Sequence, residues 1–427
     1  MLQKPKLFLN YKEFLVVFFL FLTLFSMRLN FLYKEYREFV DKPFYYTWVE
    51  VLSQYQKTKK RKTYTVLKVY SPDLDLKFFT TIYKPDNYKN KNIRLKLFPS
   101  EKITFLDYLS SSFIPSKINS ITPKAQTLKD TISQEIAKQH TNPKVIEFYQ
   151  AIFLATPISK NLRENISKWG VSHLIALSGF HLAILSGIIF LLLKPIYRVV
   201  QQRYFPYRFE LIDMGFIVLV ILGLYVWFVS SPPSLIRSYV MMLIGWIVMI
   251  LGIELVSFEF LAVVVMLILL FFPKMLFSLG FWFSVLGVFY IFLLLKNVKS
   301  KNSFIMTLII SFGIFILMLP LVHMIFPVTS SLQLFSPFLS IGFSLFYPIA
   351  ILLHILGVGG VFDSLLIGIF ETKSGSIDII TPFYIGVIYL LLSIGAIFSK
   401  RVFYLLFGVA SLFFIYIIRA ILSSSNL

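Results

Sequence analysis

Cysteine is absent from all 427 residues, which excludes disulfides, thiolate metal sites and Cys nucleophiles. An exported domain in this chain must fold without covalent staples. Charge is scarce as well: Asp, Glu, Lys and Arg make up 15% of the residues, against 57% hydrophobic and 18% aromatic. That balance is too apolar for an ordinary soluble domain. The chain has only five histidines, no H-x-H-x-D-H cluster, no phosphate-binding P-loop and no nucleophile elbow. Neither a two-metal hydrolytic centre nor phosphate-loop chemistry is expected, and no metal or cofactor is implied.

What is present is a succession of apolar runs, each near the roughly 17 to 25 residues that cross hydrocarbon as a helix. Spans are expected at 170–193, 209–229, 234–253, 257–272, 275–295, 304–320, 334–357, 381–398 and 402–420. A further run, Phe14 to Met27, follows Lys4, Lys6 and Lys12 and has no small-residue cleavage site after it. It reads as an uncleaved anchor with a cytoplasmic N-terminus, which gives about ten spans in all. The loops with Lys194, Arg198, Arg203 and Arg208, and with Lys296, Lys299 and Lys301, are then cytoplasmic. The same count strands Lys400 and Arg401 outside, unless Val358 to Phe370 makes an extra or re-entrant pass.

Between the anchor and the spans the character changes. The net charge of +20 divides as +14 before residue 169 and +6 after it. In Ile93-Arg94-Leu95-Lys96-Leu97 the apolar residues share one face and the cations the other, as in a half-buried strand. Tyr64 to Val69, Phe78 to Tyr83 and Ile103 to Leu109 are further strand candidates, and residues 127–168 shift to helical spacing with breaks at Pro143 and Pro157. The expected organisation is an anchor at 1–32, a small extracytoplasmic β domain at 43–142, amphipathic helices at 143–168 and a multi-spanning domain at 169–427. The β domain holds 17 basic and 8 acidic residues. Its densest run is Lys57, Lys59, Lys60, Arg61 and Lys62, followed by Tyr64, Tyr70, Phe78, Phe79 and Tyr83 interleaved with Lys68, Lys77 and Lys84. Such a mixture suits a single nucleic-acid strand, tracked by cations and stacked on aromatics. The plainer reading is a solvated loop beside a small aromatic core.

One segment is unusual for a membrane helix: Trp169-Gly170-Val171-Ser172-His173-Leu174-Ile175-Ala176-Leu177-Ser178-Gly179-Phe180-His181-Leu182. Polar groups at membrane depth are costly and normally face a bundle interior or a water-filled cavity. On a continuous helix His173 and His181 stand about 80° apart, two turns along the axis. A zinc pair usually sits three or four residues apart, so a metal site fits poorly. Each histidine simply bonding a neighbouring helix is the bland alternative.

This segment resembles the hallmark of the ComEC-type competence proteins, roughly G-hydrophobic-x-H-L-hydrophobic-A-hydrophobic-S-G-hydrophobic-H, matched by Gly170, His173, Leu174, Ala176, Ser178, Gly179 and His181. Pro233-Ser234-Leu235-Ile236-Arg237-Ser238 is similar to the family's P-S-x-x-R-A, and Pro273 with Gly280, Phe281 and Ser284 to its P-x-x-hydrophobic-x-x-x-G-F-x-L-S. Phe105 to Leu109, with Asp107 and Tyr108, resembles an F-D-Y element of the family's soluble domain. Departures are Ala155-Thr156 at a small Leu-Gly turn, Ser238 for Ala, and Trp282-Phe283 for Gln-Leu.

The resemblance implies a polytopic α-helical protein of the inner membrane with an OB-like domain, acting as a channel that carries single-stranded DNA into the cytoplasm during natural transformation. It also implies a short form without the metallo-β-lactamase-like domain of larger members. His173, Ser178, His181, Ser234 and Arg237 become pore candidates, with Arg237 either touching phosphates or snorkelling to the interface. Partners expected are DNA, membrane lipids, a periplasmic DNA receptor, and a cytoplasmic helicase-like motor or single-strand-binding proteins. A transporter or flippase for an anionic small molecule or lipid is the alternative. An intramembrane hydrolase using Ser178 with a histidine is a third reading, without an acidic orienter to support it.

Overall fold

The first apolar run forms α1 (Tyr11–Asp41), whose 31 residues continue well past the length a membrane needs. Its last turns carry Leu32, Tyr36, Phe39 and Val40, spaced to share one helix face, and that face is buried in the core of a β-sheet domain. The anchor and the lid of the domain are therefore one helix. The computed structural model describes residues 7–59, 62–83, 86–88, 91–123, 126–252, 256–372 and 374–424. Two compact units emerge, one of Phe8–Leu128 with Val263–Phe281 and one of Lys129–Ala262 with Trp282–Leu427.

In the first unit, β1 (Tyr45–Lys59), β2 (Lys62–Ser71), β3 (Leu76–Ile82), β4 (Lys91–Leu97), β5 (Ser112–Phe113) and β6 (Ser116–Pro123) form one sheet in the order β5-β3-β2-β1-β4-β6. Strand β1 serves both halves. Tyr45 to Val49 pair with β4, the stretch from Glu50 pairs with β2, and an irregularity between Val51 and Ser53 follows just after the change. A bulge bends a strand and tightens its twist, so the sheet curls. Its outer strands approach closely enough for Thr80 Oγ1 of β3 to lie 2.7 Å from Ser116 Oγ of β6. Val49, Leu67, Val69, Phe78, Ile93, Leu95 and Leu97 fill the interior.

Two expectations fail here. Phe78 belongs to the core and offers no stacking surface. Phe105–Leu109 is a short helix, α2, because Thr104 and Asp107 close a capping box that satisfies its first amides. Tyr108 then packs on Tyr36 and Phe39, with ring centroids 5.7 and 5.6 Å away, and burial pushes its hydroxyl up to about 12. The unit closes at Leu128 and includes residues 263–281, where Lys274 pairs with Asp75 at 2.7 Å. A fragment starting at residue 43 would lack the four core residues of α1.

The second unit is helical: α3 (Leu128–Lys138), α4 (Pro143–Leu154), α5 (Lys160–Lys168), α6 (Ser172–Ile175), α7 (Gly179–Tyr204), α8 (Glu210–Phe228), α9 (Pro233–Ile250), α10 (Phe258–Phe271), α11 (Leu279–Asn297), α12 (Ser303–Val322), α13 (Ser336–Ile355), α14 (Asp363–Glu371), α15 (Phe383–Phe398) and α16 (Lys400–Ser424), with α10 shared between units. Pro143 starts α4, since a proline in a first turn loses no helical bond. Among the described residues seven helices, α1 included, are long and apolar enough to cross a membrane, while α9, α10 and α15 are apolar but shorter.

A two-stranded pair, β7 (Val328–Thr329) with β8 (Ile377–Asp378), joins the two ends of the segment that holds α13 and α14. The chain leaves that point, runs through α13 and α14, and returns to it. Helix α14 has nine residues, about 13 Å at 1.5 Å each, and cannot span alone. Lys296 Nζ then donates to the Ile397 carbonyl at 2.8 Å, placing both basic ends on one side of this unit.

Helix α4 ends on Ala155, at φ +58°, in the left-handed region that favours glycine. Ala155→Gly is expected to raise stability by about 1 kcal/mol, seen as a few degrees in the melting temperature of the purified protein; a lower melting temperature would show that the alanine methyl packs usefully.

Candidate functional site

The unusual segment is not one helix. Helix α6 makes a single turn, Ala176 and Ser178 are extended, and α7 starts afresh at Gly179. The 80° relation between His173 and His181 therefore does not hold. His181 Nδ1 accepts the Ser178 N–H at 3.3 Å and caps the new helix as a Glu would in a capping box. Accepting there leaves the proton on Nε2, which is buried with no hydrogen-bond partner among the described residues. The ring instead stands edge-on to Phe343 at 5.2 Å and Tyr347 at 4.8 Å. Ser178 Oγ does lie 3.3 Å from His181 Nδ1, as their spacing allows, but that nitrogen is committed to the cap.

His173 has the opposite surroundings. Its side chain is exposed. Its Nε2 is 3.3 Å from Ser340 Oγ of α13, which donates onward to the Ser336 carbonyl at 2.9 Å. Ser336 Oγ donates to the Gly170 carbonyl at 3.1 Å, and Ser172 Oγ lies 3.1 Å from Ser167 Oγ. Hydroxyls thus accompany His173 along the α6–α13 seam. Gly170 permits close packing there, at φ +66° with Gln333 against it, while Gly179 permits the α7–α9 approach, where a Cβ would stand 3.1 Å from Ser238 Oγ.

The remaining residues of the resemblance take structural places. Pro233 occupies the first turn of α9, after Ser230 and Ser231 at positive φ, and Ser234 accepts from Ser238 Oγ through its carbonyl at 2.9 Å. The Arg237 side chain is buried, not snorkelled outward. Gly280 and Ser284 lie on α11, and Phe281 is fully buried beneath the Ser278 cap. Asp107 caps α2 and Tyr108 anchors the sheet core.

On the first unit, Lys57 and Lys59 end β1 and Lys62 begins β2, the two strands paired antiparallel. Lys57 is exposed, its Nζ 5.6 Å over the Tyr55 ring. The side chains of Lys59 and Lys62, and Lys60, Arg61 and Lys84 altogether, lie outside the described residues. A second cationic surface is more ordered. The register puts Tyr46 opposite Lys96 and Trp48 opposite Arg94, all four pointing outward while Thr47, Val49, Ile93 and Leu95 point in. Lys96 Nζ stands 4.0 Å from the Phe44 ring and 5.5 Å from Tyr46, and Arg94 stands 5.5 Å from Tyr46. Lys117 of β6 lies across from Lys96 and extends the face. On the neighbouring strands Lys68 stacks on Phe79 and Lys77 on Tyr70, at 5.3 and 5.7 Å, and burial, with Lys68 nearby, lowers the Lys77 pKa. The alternation in Tyr45 to Val49 signals this face, but its partner strand is about 45 residues away, and only the register joins them.

No curated protein and no solved structure is significantly similar to the chain. A family model described as "Competence protein" matches residues 155–421, more than half of the sequence and including the His173–His181 segment, the Arg237 turn and α11. This membrane protein, with its apolar helix bundle and curled N-terminal sheet, belongs to the competence protein family.

Proposed function

We propose that the protein is an inner-membrane channel that passes single-stranded DNA into the cytoplasm during natural transformation. The observation that carries this reading is the outward sheet face, where aromatic rings and cations alternate in register, as a strand-binding surface without sequence preference requires. The curl of the sheet around one long bent strand supports an OB-like assignment. The sheet lies outside the cell in this reading. Counting from a cytoplasmic N-terminus, Lys296 and Lys400 then fall together on the cytoplasmic side, as the positive-inside rule asks.

The hydroxyl-lined seam at His173 serves as part of the path, with water and small polar groups replacing the hydration of passing phosphates. The chain makes and breaks no bonds in this reading. A periplasmic receptor delivers the strand, and a cytoplasmic helicase-like motor or single-strand-binding proteins draw it in.

Deleting the protein should leave labelled DNA nuclease-protected outside the cytoplasm while abolishing its entry. Continued entry would overturn the proposal. Because the chain has no native cysteine, Ser172→Cys gives a single accessible thiol beside His173. A bulky water-soluble thiol reagent is expected to block entry in that strain and not in the parent; full uptake after complete labelling would place the path elsewhere.

A further inference from the structure

Three titratable groups far apart in sequence meet at the corner between α3 and α4. His140 follows α3, His354 lies in the last turn of α13, and Asp363 opens α14. His140 Nδ1 is 2.8 Å from Asp363 Oδ1 and 3.1 Å from Oδ2, and its Nε2 is 2.9 Å from His354 Nε2. His354 Nδ1 lies 2.6 Å from the Ala350 carbonyl. The His140 ring is buried and stacks on Tyr149 with centroids 4.6 Å apart. Among the described residues no group of three His, Asp or Glu is arranged to hold a metal ion.

Each of these contacts needs a hydrogen between its two heavy atoms. The Ala350 carbonyl only accepts, so His354 Nδ1 carries a proton. The contact between the rings takes one N–H from either side. The contact with Asp363 takes another, whether it rests on nitrogen or oxygen. Two neutral imidazoles and a carboxylate supply one hydrogen too few. The corner is fully bonded only when it holds one further proton, as an imidazolium balanced by a carboxylate.

We propose that His140, His354 and Asp363 form a one-proton binding site that clamps α13 and α14 onto the α3–α4 corner. Remove the proton and lone pair faces lone pair across one contact. Add a second and two cationic N–H groups oppose each other at the ring contact. The clamp therefore loosens on both sides of an intermediate pH, with apparent values that belong to the cluster and not to one residue.

The surrounding groups leave this balance intact. On α3, Glu135 and Lys138 neutralise each other at 2.6 Å in an exposed pair. Tyr149 of α4, Tyr225 of α8 and Tyr347 of α13 are phenols, uncharged through the range in which histidines titrate. Tyr225, Tyr347, His354, Gln139 and Glu135 border one largely apolar cavity of about 320 Å³. Gln139 supplies bonds that do not titrate, accepting from Gly359 N–H at 2.8 Å and donating to the His354 carbonyl at 3.1 Å. Loss of the proton thus loosens the corner without freeing it. The consequence reaches the hallmark segment, because α13 also carries Ser340 against His173, and Phe343 and Tyr347 against His181. This rests on geometry and is independent of the cargo.

The test uses the full chain with nitroxides at Thr141→Cys and Leu365→Cys, both exposed and on opposite sides of the clamp. Electron–electron distance measurements near pH 6.5 should give one narrow distribution, broadening about twofold towards roughly pH 9 and again towards about pH 4.5. Asp363→Asn, whose amide can donate to His140 Nδ1 and complete the corner with both rings neutral, should stay narrow towards roughly pH 9 and broaden only towards about pH 4.5. A wild-type distribution unchanged across this range would overturn the proposal even if the variant fails to fold. So would a distribution that responds to zinc or to a chelator at fixed pH, which would make the site a metal site.

Discussion

Replacing Tyr46 and Trp48 together with alanine is expected to weaken binding of single-stranded DNA to the full-length protein by about 2 to 6 kcal/mol, at least roughly 30-fold. Both side chains are exposed and face cations, not the core, so the fold should survive their loss. Arg94→Gln with Lys96→Gln should act differently. In the proposed reading these cations meet the backbone charge of a strand, so their removal should flatten the dependence of affinity on salt by about 0.7 in logarithmic slope for each. Lys57 provides the contrast: it extends from a β-ribbon and stacks on one ring, so Lys57→Gln alone should change affinity only slightly. Titration of a fluorescent oligonucleotide at several salt concentrations separates the cases. An unchanged affinity after loss of both aromatics would remove this face from consideration.

Much of this architecture can be read along the chain, and what cannot is long-range. Alternation in Ile93 to Leu97 announces a strand with Arg94 and Lys96 outward, because the side-chain period of a strand is a local property. The partners of those cations are fixed by antiparallel register with β1, which no local pattern encodes. The reading of Ile103 to Leu109 as a strand went wrong because Thr104 and Asp107, three apart, start a helix that short-range hydrophobicity does not reveal. Among the membrane segments, apolar length marks the helices, but the extended break at Ala176 to Ser178 depends on His181 acting as a cap, an unusual residue for that role. His140 was invisible as a site for the same reason as the sheet face: its partners lie more than 200 residues away.

The two histidines of the hallmark should separate cleanly in function, because the structure gives them unlike environments. His181 is buried, caps α7, and presents its ring to Phe343 and Tyr347. His181→Ala removes the cap and leaves a void between helices, a loss of about 2 to 4 kcal/mol that should appear first as reduced amounts of folded protein. His181→Gln, able to accept from Ser178, should recover part of that amount. His173 is accessible and holds one hydroxyl at 3.3 Å, so His173→Ala should insert and accumulate normally. If the seam conducts DNA, this variant should nonetheless lower entry to the cytoplasm, with protein level unchanged. Membrane abundance by quantitative blotting, measured beside uptake of labelled DNA, distinguishes the two effects. Equal loss of abundance in both variants would mean that His173 is a packing residue, and normal uptake at normal abundance in His173→Ala would take the seam out of the path.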